Sequence, residues 1–282
     1  MDAFRLLRDF IQDSYGVSFD DGQRATLGLR LAGRLGAVGV ASFREYYQYL
    51  RFGPGREAER EQLVSLVTNK ETYFFREPAQ LRAFSTYILR ELKQRKAARG
   101  ERTLRVLSAG CATGEEAYTV AMLIRDSAEF FWDWAVEVVG LDVDAAALEK
   151  ARQGLYQENS FRATPAEARA THFTAEAAGF RVKDRLRARL RWVQGNLLDG
   201  AAYDGLGSFD AVFCRNVLMY FSEAAARRVI ARLQELLNPG AYLLLGHAES
   251  LSRFEHGLEA VRYPGAIAYR KHEAEARAET PP

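Results

Sequence analysis

The spacing of apolar residues changes once along this chain. Up to about residue 75 they recur at helical intervals. Phe4, Leu7, Phe10 and Ile11 form one stripe, and Leu27, Leu29, Leu31 and Leu35 sit in a second, glycine-interrupted stretch. Phe43, Tyr46, Tyr47 and Leu50 form a third, ended by the Gly53-Pro54-Gly55 turn, and Leu63, Leu66 and Val67 lie on a fourth. Residues 1–75 therefore read as a helical N-terminal domain whose stripes pack on one another.

From about Arg105 the pattern becomes strand, turn, helix, repeated. A short apolar strand at 104–107 runs into a turn at 110–114 and a helix at 115–125. A second strand at 136–141 is closed by Asp142 and followed by a helix at 145–155. A strand at 209–214 precedes Ser222, a good N-cap, and a helix reaching Leu237, which Asn238-Pro239-Gly240 should stop. Strands at 242–245 and 266–270 end the pattern. Such alternation predicts a mostly parallel sheet with helices on both faces and ligands at the carboxyl ends of its strands. Residues 156–200 interrupt it. A helix is expected at 164–172. Over 180–193, Arg185, Arg187, Arg189 and Arg191 alternate with Leu186, Ala188, Leu190 and Trp192, which predicts a half-buried strand. The expected organisation is a helical domain at 1–75, a catalytic domain at 76–270 with a small β subdomain at about 173–195, and a charged, frayed tail at 271–282.

Charge narrows the function classes. Among 282 residues, 39 basic and 37 acidic side chains nearly cancel, so no global field favours nucleic acid or a membrane surface. Two cysteines in no metal-like spacing argue against a disulfide framework or zinc site, and four scattered histidines (172, 247, 256, 272) suggest no other metal. With no apolar run of spanning length and no leader-like N-terminus, a cytoplasmic protein is expected.

Four segments carry candidate chemistry. In Val106-Leu107-Ser108-Ala109-Gly110-Cys111-Ala112-Thr113-Gly114-Glu115-Glu116, a strand enters a small-residue turn and then a helix that opens on two acids. Gly110 and Gly114 let backbone approach a ligand. Two carboxylates there repel phosphate and suit a cationic group, although acids at that place also stabilise the helix dipole. Asp142, at the end of the second strand, sits where nucleoside-binding sheets take ribose hydroxyls, and Asp144 is expected mainly to cap the next helix. Phe209 to Phe221 is a buried strand ending in Arg215-Asn216 and then the aromatic pair Tyr220-Phe221, as a pocket wall requires. Asn69 to Glu77 places Phe74-Phe75 between charges ahead of the sheet, which suits either a hinge or a site.

Together these pieces resemble the CheR family of chemotaxis receptor methyltransferases. The matching stretches are TNKETYFFRE, LSAGCATGEEAYTVAM, LDVDAAALEKARQGLY, GNLLD, FDAVFCRNVLMYF and LLNPGAYLLLGHAESL. The resemblance implies a class I S-adenosylmethionine-dependent methyltransferase: an α/β, Rossmann-like, mostly parallel sheet with a small all-α N-terminal domain and a short β insertion. It implies protein-glutamate O-methylation of chemoreceptors without a metal. The implied cofactor contacts are Thr72, Arg76, Gly110, Glu115, Glu116, Asp142, Asn196, Leu197, Arg215 and Asn216, with Arg76 and Tyr220 beside the transferred methyl as catalytic residues.

Departures from the family pattern change some expectations. Lys70 stands where relatives often carry asparagine, so no ligand contact is transferred to it, and Ala241 replaces a common second glycine. Some relatives grip a pentapeptide at the receptor's C-terminus with a longer β subdomain. The short insertion here, with Ala177-Ala178-Gly179-Phe180, predicts weak or no binding of that peptide. His247 in Gly246-His247-Ala248-Glu249-Ser250 is expected to be structural, since a carboxylate acceptor needs no general base. The four alternating arginines read as a solvated strand face or as a basic surface for an acidic receptor. A monomer is expected. The second functional reading is a non-catalytic sensor or scaffold that binds S-adenosylmethionine. The neutral charge and the helical domain joined to the FFR segment count against nucleic-acid and small-molecule methyltransferases.

Overall fold

The computed structural model describes residues 3–130 and 133–273. Four helices open the chain: α1 (Ala3–Tyr15), α2 (Arg24–Val38), α3 (Phe43–Phe52) and α4 (Arg56–Val67). Their core is the predicted stripes, with Phe4, Leu7, Ile11, Leu27, Leu31, Tyr46, Leu50, Leu63 and Val67 buried together. Leu29 departs from this: it is 79% exposed. Leu27, Leu31 and Leu35 are four apart and share a face, whereas Leu29 lies two positions round the helix and faces water. Ser42 starts α3 by accepting the Glu45 N–H while its hydroxyl donates to the Glu45 carboxylate, a reciprocal cap. The Tyr46 hydroxyl and the Arg34 guanidinium both donate to the buried Glu59 carboxylate, which ties α2, α3 and α4.

Helices α5 (Pro78–Ala83) and α6 (Leu89–Ala98), continuous through a π-helical turn at Phe84–Ile88, lead into the sheet. Its strands are β1 (Thr103–Ala109), β2 (Ala135–Asp142), β6 (Leu190–Gln194), β7 (Phe209–Cys214), β8 (Leu237–Leu245), β9 (Leu258–Tyr263) and β10 (Ala266–Lys271). Their spatial order is β6-β2-β1-β7-β8-β10-β9. The first five are parallel, and β10 runs antiparallel to both β8 and β9. Helices α7 (Glu115–Asp126), α8 (Ala145–Gln153), α9 (Ala166–His172), the single turn α10 (Asp184–Arg187) and α11 (Glu223–Glu235) are the remaining α-helices of the described residues, which also form a small antiparallel sheet of β3 (Leu155–Tyr156), β5 (Gly179–Val182) and β4 (Phe173–Glu176). Alternate residues of each central strand feed two separate cores. Leu104, Val106, Val138, Ala211, Phe213, Tyr242 and Leu244 pack with α6 and α7, while Leu107, Val139, Leu141, Val212, Leu243 and Leu245 pack with α11. A sheet apolar on both faces is what a covered parallel sheet requires.

Three expectations need correction. Residues 180–193 are not one strand: β5 ends at Val182, α10 intervenes, and β6 joins the main sheet rather than the small one. Leu186 is buried between the exposed Arg185 and the half-buried Arg187, a pattern that a helical turn produces as readily as a strand does. Arg191 pairs with Glu137 across β6 and β2, Arg187 pairs with Asp184, and Arg185 donates to the Thr171 carbonyl, so these arginines have local partners. Asn238-Pro239-Gly240 does not follow the helix but lies inside β8. There the pairing with β7 slips, and Gly240 takes a φ of +75°, which glycine tolerates. Finally, Lys271 belongs to β10, whereas residues 274–282 of the expected tail lie outside the described residues.

Backbone pairing joins the segment after α1 to the turn between β7 and α11. Val17 bridges Phe221, the Ser18 N–H donates to the Tyr220 carbonyl, and the Ser222 N–H donates to the Gly16 carbonyl. The start of the chain therefore reaches the turn that carries Tyr220.

Candidate active site

Strand order reverses at β1, between β2 and β7, so the carboxyl ends of these strands diverge and leave a crevice. An open cleft of about 1140 Å³ occupies it. The segment 68–76, arriving from the helical bundle, covers one side. Thr72, Arg76, Gly110, Glu116, Asp142, Asn196, Leu197, Arg215, Asn216 and Tyr220 all line it.

Glu115 does not. Consecutive residues on a helix point about 100° apart. With Glu116 turned into the cleft, Glu115 is buried behind it, where its carboxylate accepts from the Thr113 and Ser160 hydroxyls. Its place is in the packing of α7 against the Glu158–Phe161 turn.

The turn after β1 is shaped for close approach. Gly110 has a φ of +75°, and a Cβ there would stand 2.6 Å from the Val217 side chain. Ala112 also takes a positive φ, 47°, and its N–H donates to Asp142 Oδ2 at 2.7 Å. Asp142 Oδ1 accepts from the Asp144 N–H at 2.9 Å. Burial pushes the Asp142 carboxyl above the usual range, and these two N–H groups only partly offset that. Asp144 caps α8 as expected, accepting from the Ala146 and Ala147 N–H groups. Its other oxygen meets the Lys70 ammonium at 2.7 Å. Lys70, given no ligand contact from its sequence, thus lines the cleft and balances a buried acid.

On the opposite wall Arg215, only 2% of its side chain exposed, lies between two acids: Glu116 at 3.1 Å and Glu77 at 3.2 Å. It also donates to the Arg76 carbonyl. Burial raises the Glu116 carboxyl, and Arg215 and the Ser108 hydroxyl oppose that rise. Burial also pushes Glu77 up, but Asn216, the His247 N–H and Arg215 outweigh it and hold Glu77 below the usual carboxylate range. Left-handed backbone recurs at Phe75, Glu77 and Asn216, with φ of 59°, 54° and 59°. Conformations that side chains rarely adopt thus gather round one cleft, as they do at functional sites.

At the mouth, the Asn69 amide donates to the Tyr220 hydroxyl oxygen at 2.6 Å. The Arg76 guanidinium donates to the Glu71 carbonyl and lies 5.7 Å from the Tyr73 ring centre. No histidine is among the lining residues, and the described residues contain no cluster of potential metal ligands.

Sequence reasoning missed several of these residues. Tyr15, Val17 and Val67 reach the cleft from the helical bundle, through contacts far apart in sequence that no local pattern signals. Glu77 and Glu249 hold the Arg215-Asn216 turn from behind. Both lie in the segments Asn69–Glu77 and Gly246–Ser250, where nothing local separates them from their neighbours.

Two family models match. The CheR methyltransferase all-alpha domain covers residues 2–68, and the CheR methyltransferase SAM binding domain covers residues 70–266. The chain is 32% identical to chemotaxis protein methyltransferase 2 of Vibrio cholerae over 95% of its length and 92% of that protein's. It is 32% identical to chemotaxis protein methyltransferase 1 of Pseudomonas aeruginosa over 95% of its length and 97% of that protein's. It is 33% identical to the "Probable biofilm formation methyltransferase WspC" of the same organism over 84% of its length, spanning 54% of that longer protein. With both halves of the chain matched and the sheet order in place, this protein belongs to the CheR family of S-adenosylmethionine-dependent methyltransferases with the class I fold.

Proposed function

We propose that this chain methylates glutamate side chains of chemoreceptors, forming carboxyl methyl esters for sensory adaptation. The carrying observation is the donor arrangement at the mouth. Because Asn69 donates to the Tyr220 oxygen, the Tyr220 hydroxyl proton is free for another acceptor, and the Arg76 guanidinium stands on the same rim. Two donors and no histidine suit an acceptor that arrives as an anion and has no proton to lose.

The cleft also fits S-adenosylmethionine. Glu116 at the start of α7 suits a cationic amino acid end, Asp142 at the end of β2 suits ribose hydroxyls, and Asn196 and Leu197 suit the adenine. Thr72, Gly110, Arg215 and Asn216 complete the contacts. When bound, this cofactor supplies a methyl group already activated by its sulfonium. The chain's task is then positioning. Arg76 and Tyr220 hold the acceptor carboxylate in line, and the 68–76 segment, with the 16–18 backbone behind Tyr220, screens the site from water.

Tyr220→Phe should lower kcat by roughly tenfold and leave cofactor affinity unchanged, because one hydrogen bond to an anion is lost. Stopped-flow or steady-state kinetics on a receptor fragment checks this, and unchanged kcat removes the hydroxyl from the mechanism. The reading as a whole is tested by incubating the enzyme with receptor cytoplasmic fragments and mapping the added methyl by peptide mass spectrometry. A methyl on glutamate supports it, and a methyl on lysine or another nitrogen overturns it.

The β4–β5 hairpin turns through Ala177 and Ala178, with Gly179 at a φ of +138° pressed against the Tyr156 carbonyl. So short a turn leaves little to close over a peptide. Titration calorimetry with a receptor C-terminal pentapeptide should give no saturable heat in the micromolar range. A clear isotherm would refute this.

A further inference from the structure

The Gly246-His247-Ala248-Glu249-Ser250 segment that follows β8 has no role in the reading above, and its histidine is not among the lining residues. Its acid is the residue tied to the site. Glu249 Oε2 accepts the N–H groups of Asn216 at 2.7 Å and Gly246 at 2.8 Å. Glu249 Oε1 accepts those of Val217 at 2.9 Å and Met219 at 3.2 Å. A carboxylate offers about four acceptor sites and no donor, and here each is filled by a backbone N–H. Three of the four belong to the turn that starts at Asn216, whose left-handed φ of 59° asparagine adopts more readily than most side chains. From the other side Glu77 accepts from the Asn216 amide and Arg215. One residue beyond Met219 stands Tyr220.

We propose that Glu249 is a positioning residue for methyl transfer, setting the Asn216–Tyr220 turn so that the Tyr220 hydroxyl meets the acceptor. This rests on the reading that Tyr220 orients an acceptor carboxylate. Glu249 does not line the cleft, so any effect it has on turnover passes through the turn. Of the proposed cofactor contacts, Asn216 begins this turn and Arg215 precedes it, while the others are held elsewhere: Thr72 in the 68–76 segment, Gly110 after β1, Asp142 on β2, and Asn196 and Leu197 after β6. Loss of Glu249 should therefore disturb the acceptor more than the cofactor. Glutamine keeps the shape but replaces one oxygen with an NH₂ that faces N–H donors, so two of the four backbone groups lose their acceptor.

The test is a double-mutant cycle between Glu249→Gln and Tyr220→Phe on a receptor fragment, with kcat normalised to titrated cofactor-binding sites. Glu249→Gln should lower kcat roughly 10- to 100-fold, the scale of a misplaced reacting group, with cofactor Kd changed less than about threefold. The double variant should be no slower than the slower single variant, and Glu249→Asp, which keeps the charge, should recover part of kcat. If Glu249→Gln does not fold, the cycle is run with Glu249→Asp and read the same way. Multiplicative losses, or intact kcat per site with only a lowered Tm, overturn the proposal. Failure of the wild-type enzyme to methylate any receptor fragment overturns the glutamate reading and this proposal together. A failed cycle with active wild type overturns this proposal alone.

Discussion

Arg215→Met is expected to abolish turnover and destabilise the fold by roughly 3–5 kcal/mol, the usual cost of removing one partner from a buried ion pair. Arg215 stands between Glu116 and Glu77 with almost none of its side chain exposed. Methionine fills the volume but leaves both acids without their counter-charge. At about 2–4 °C per kcal/mol for a chain of this size, the thermal midpoint should fall by roughly 10 °C. Glu116→Gln in the same background removes the worse-placed charge and should restore part of the midpoint without restoring cofactor affinity, a non-additive outcome expected of residues in one network. Scanning calorimetry and cofactor titration separate the two effects. A midpoint within about 2 °C of wild type would mean that water relieves the charges and that the network does not hold the wall.

Asp142→Asn carries the second large effect, on binding. Both carboxylate oxygens accept backbone N–H groups, and one of these fixes Ala112 in its left-handed conformation. The amide presents a donor to one of them and loses the charge that, in the proposed binding mode, strengthens bonds from ribose hydroxyls. Hydrogen bonds to charged groups contribute about 1.5–3 kcal/mol, so cofactor Kd should rise roughly 10- to 100-fold. The same residue sets a pH dependence. Burial raises both Asp142 and Glu116, so they take up protons at higher pH than free carboxylates. In the proposed binding mode the ionised forms attract the cofactor's amino group and hydroxyls, so affinity should be complete above the raised values and lost as pH falls through them. Stability of the ligand-free chain moves oppositely: these two groups favour the fold below the ordinary carboxylate range, and that contribution is lost as pH rises through the raised values. Asp142→Asn should weaken the acid limb of binding, and a limb unchanged by it would assign the titration elsewhere.

Much of this was legible in the sequence because local rules and tertiary packing agree. Apolar runs at 104–107, 136–141 and 209–214 become strands with two covered faces. The Gly110 turn and the Ser222 cap lie where their chemistry requires. Errors arose where one pattern allows two structures. Strand β9 has no clear signal in the sequence because Leu-Glu-Ala-Val-Arg-Tyr carries two charges in six residues, which an exposed edge strand tolerates. The alternating arginines fitted a strand and a helical turn equally. Of two adjacent acids, sequence could not say which faces the cleft, and the rotation of α7 selects Glu116. Glu249 and Glu77 cannot be told from their neighbours locally, because their partners are distant: backbone N–H groups of a turn 32 positions away for Glu249, and the Asn216 side-chain amide 139 positions away for Glu77.

The most direct test of the central claim supplies tritiated-methyl S-adenosylmethionine to the purified protein and receptor-containing membranes, followed by mild alkali. The account predicts label on a receptor-sized band that alkali releases as methanol, since a carboxyl methyl ester hydrolyses and a methylamine does not. Alkali-stable label would move the acceptor to nitrogen or carbon and contradict the account. Absence of label despite demonstrated cofactor binding would contradict it in favour of a non-catalytic sensor or scaffold.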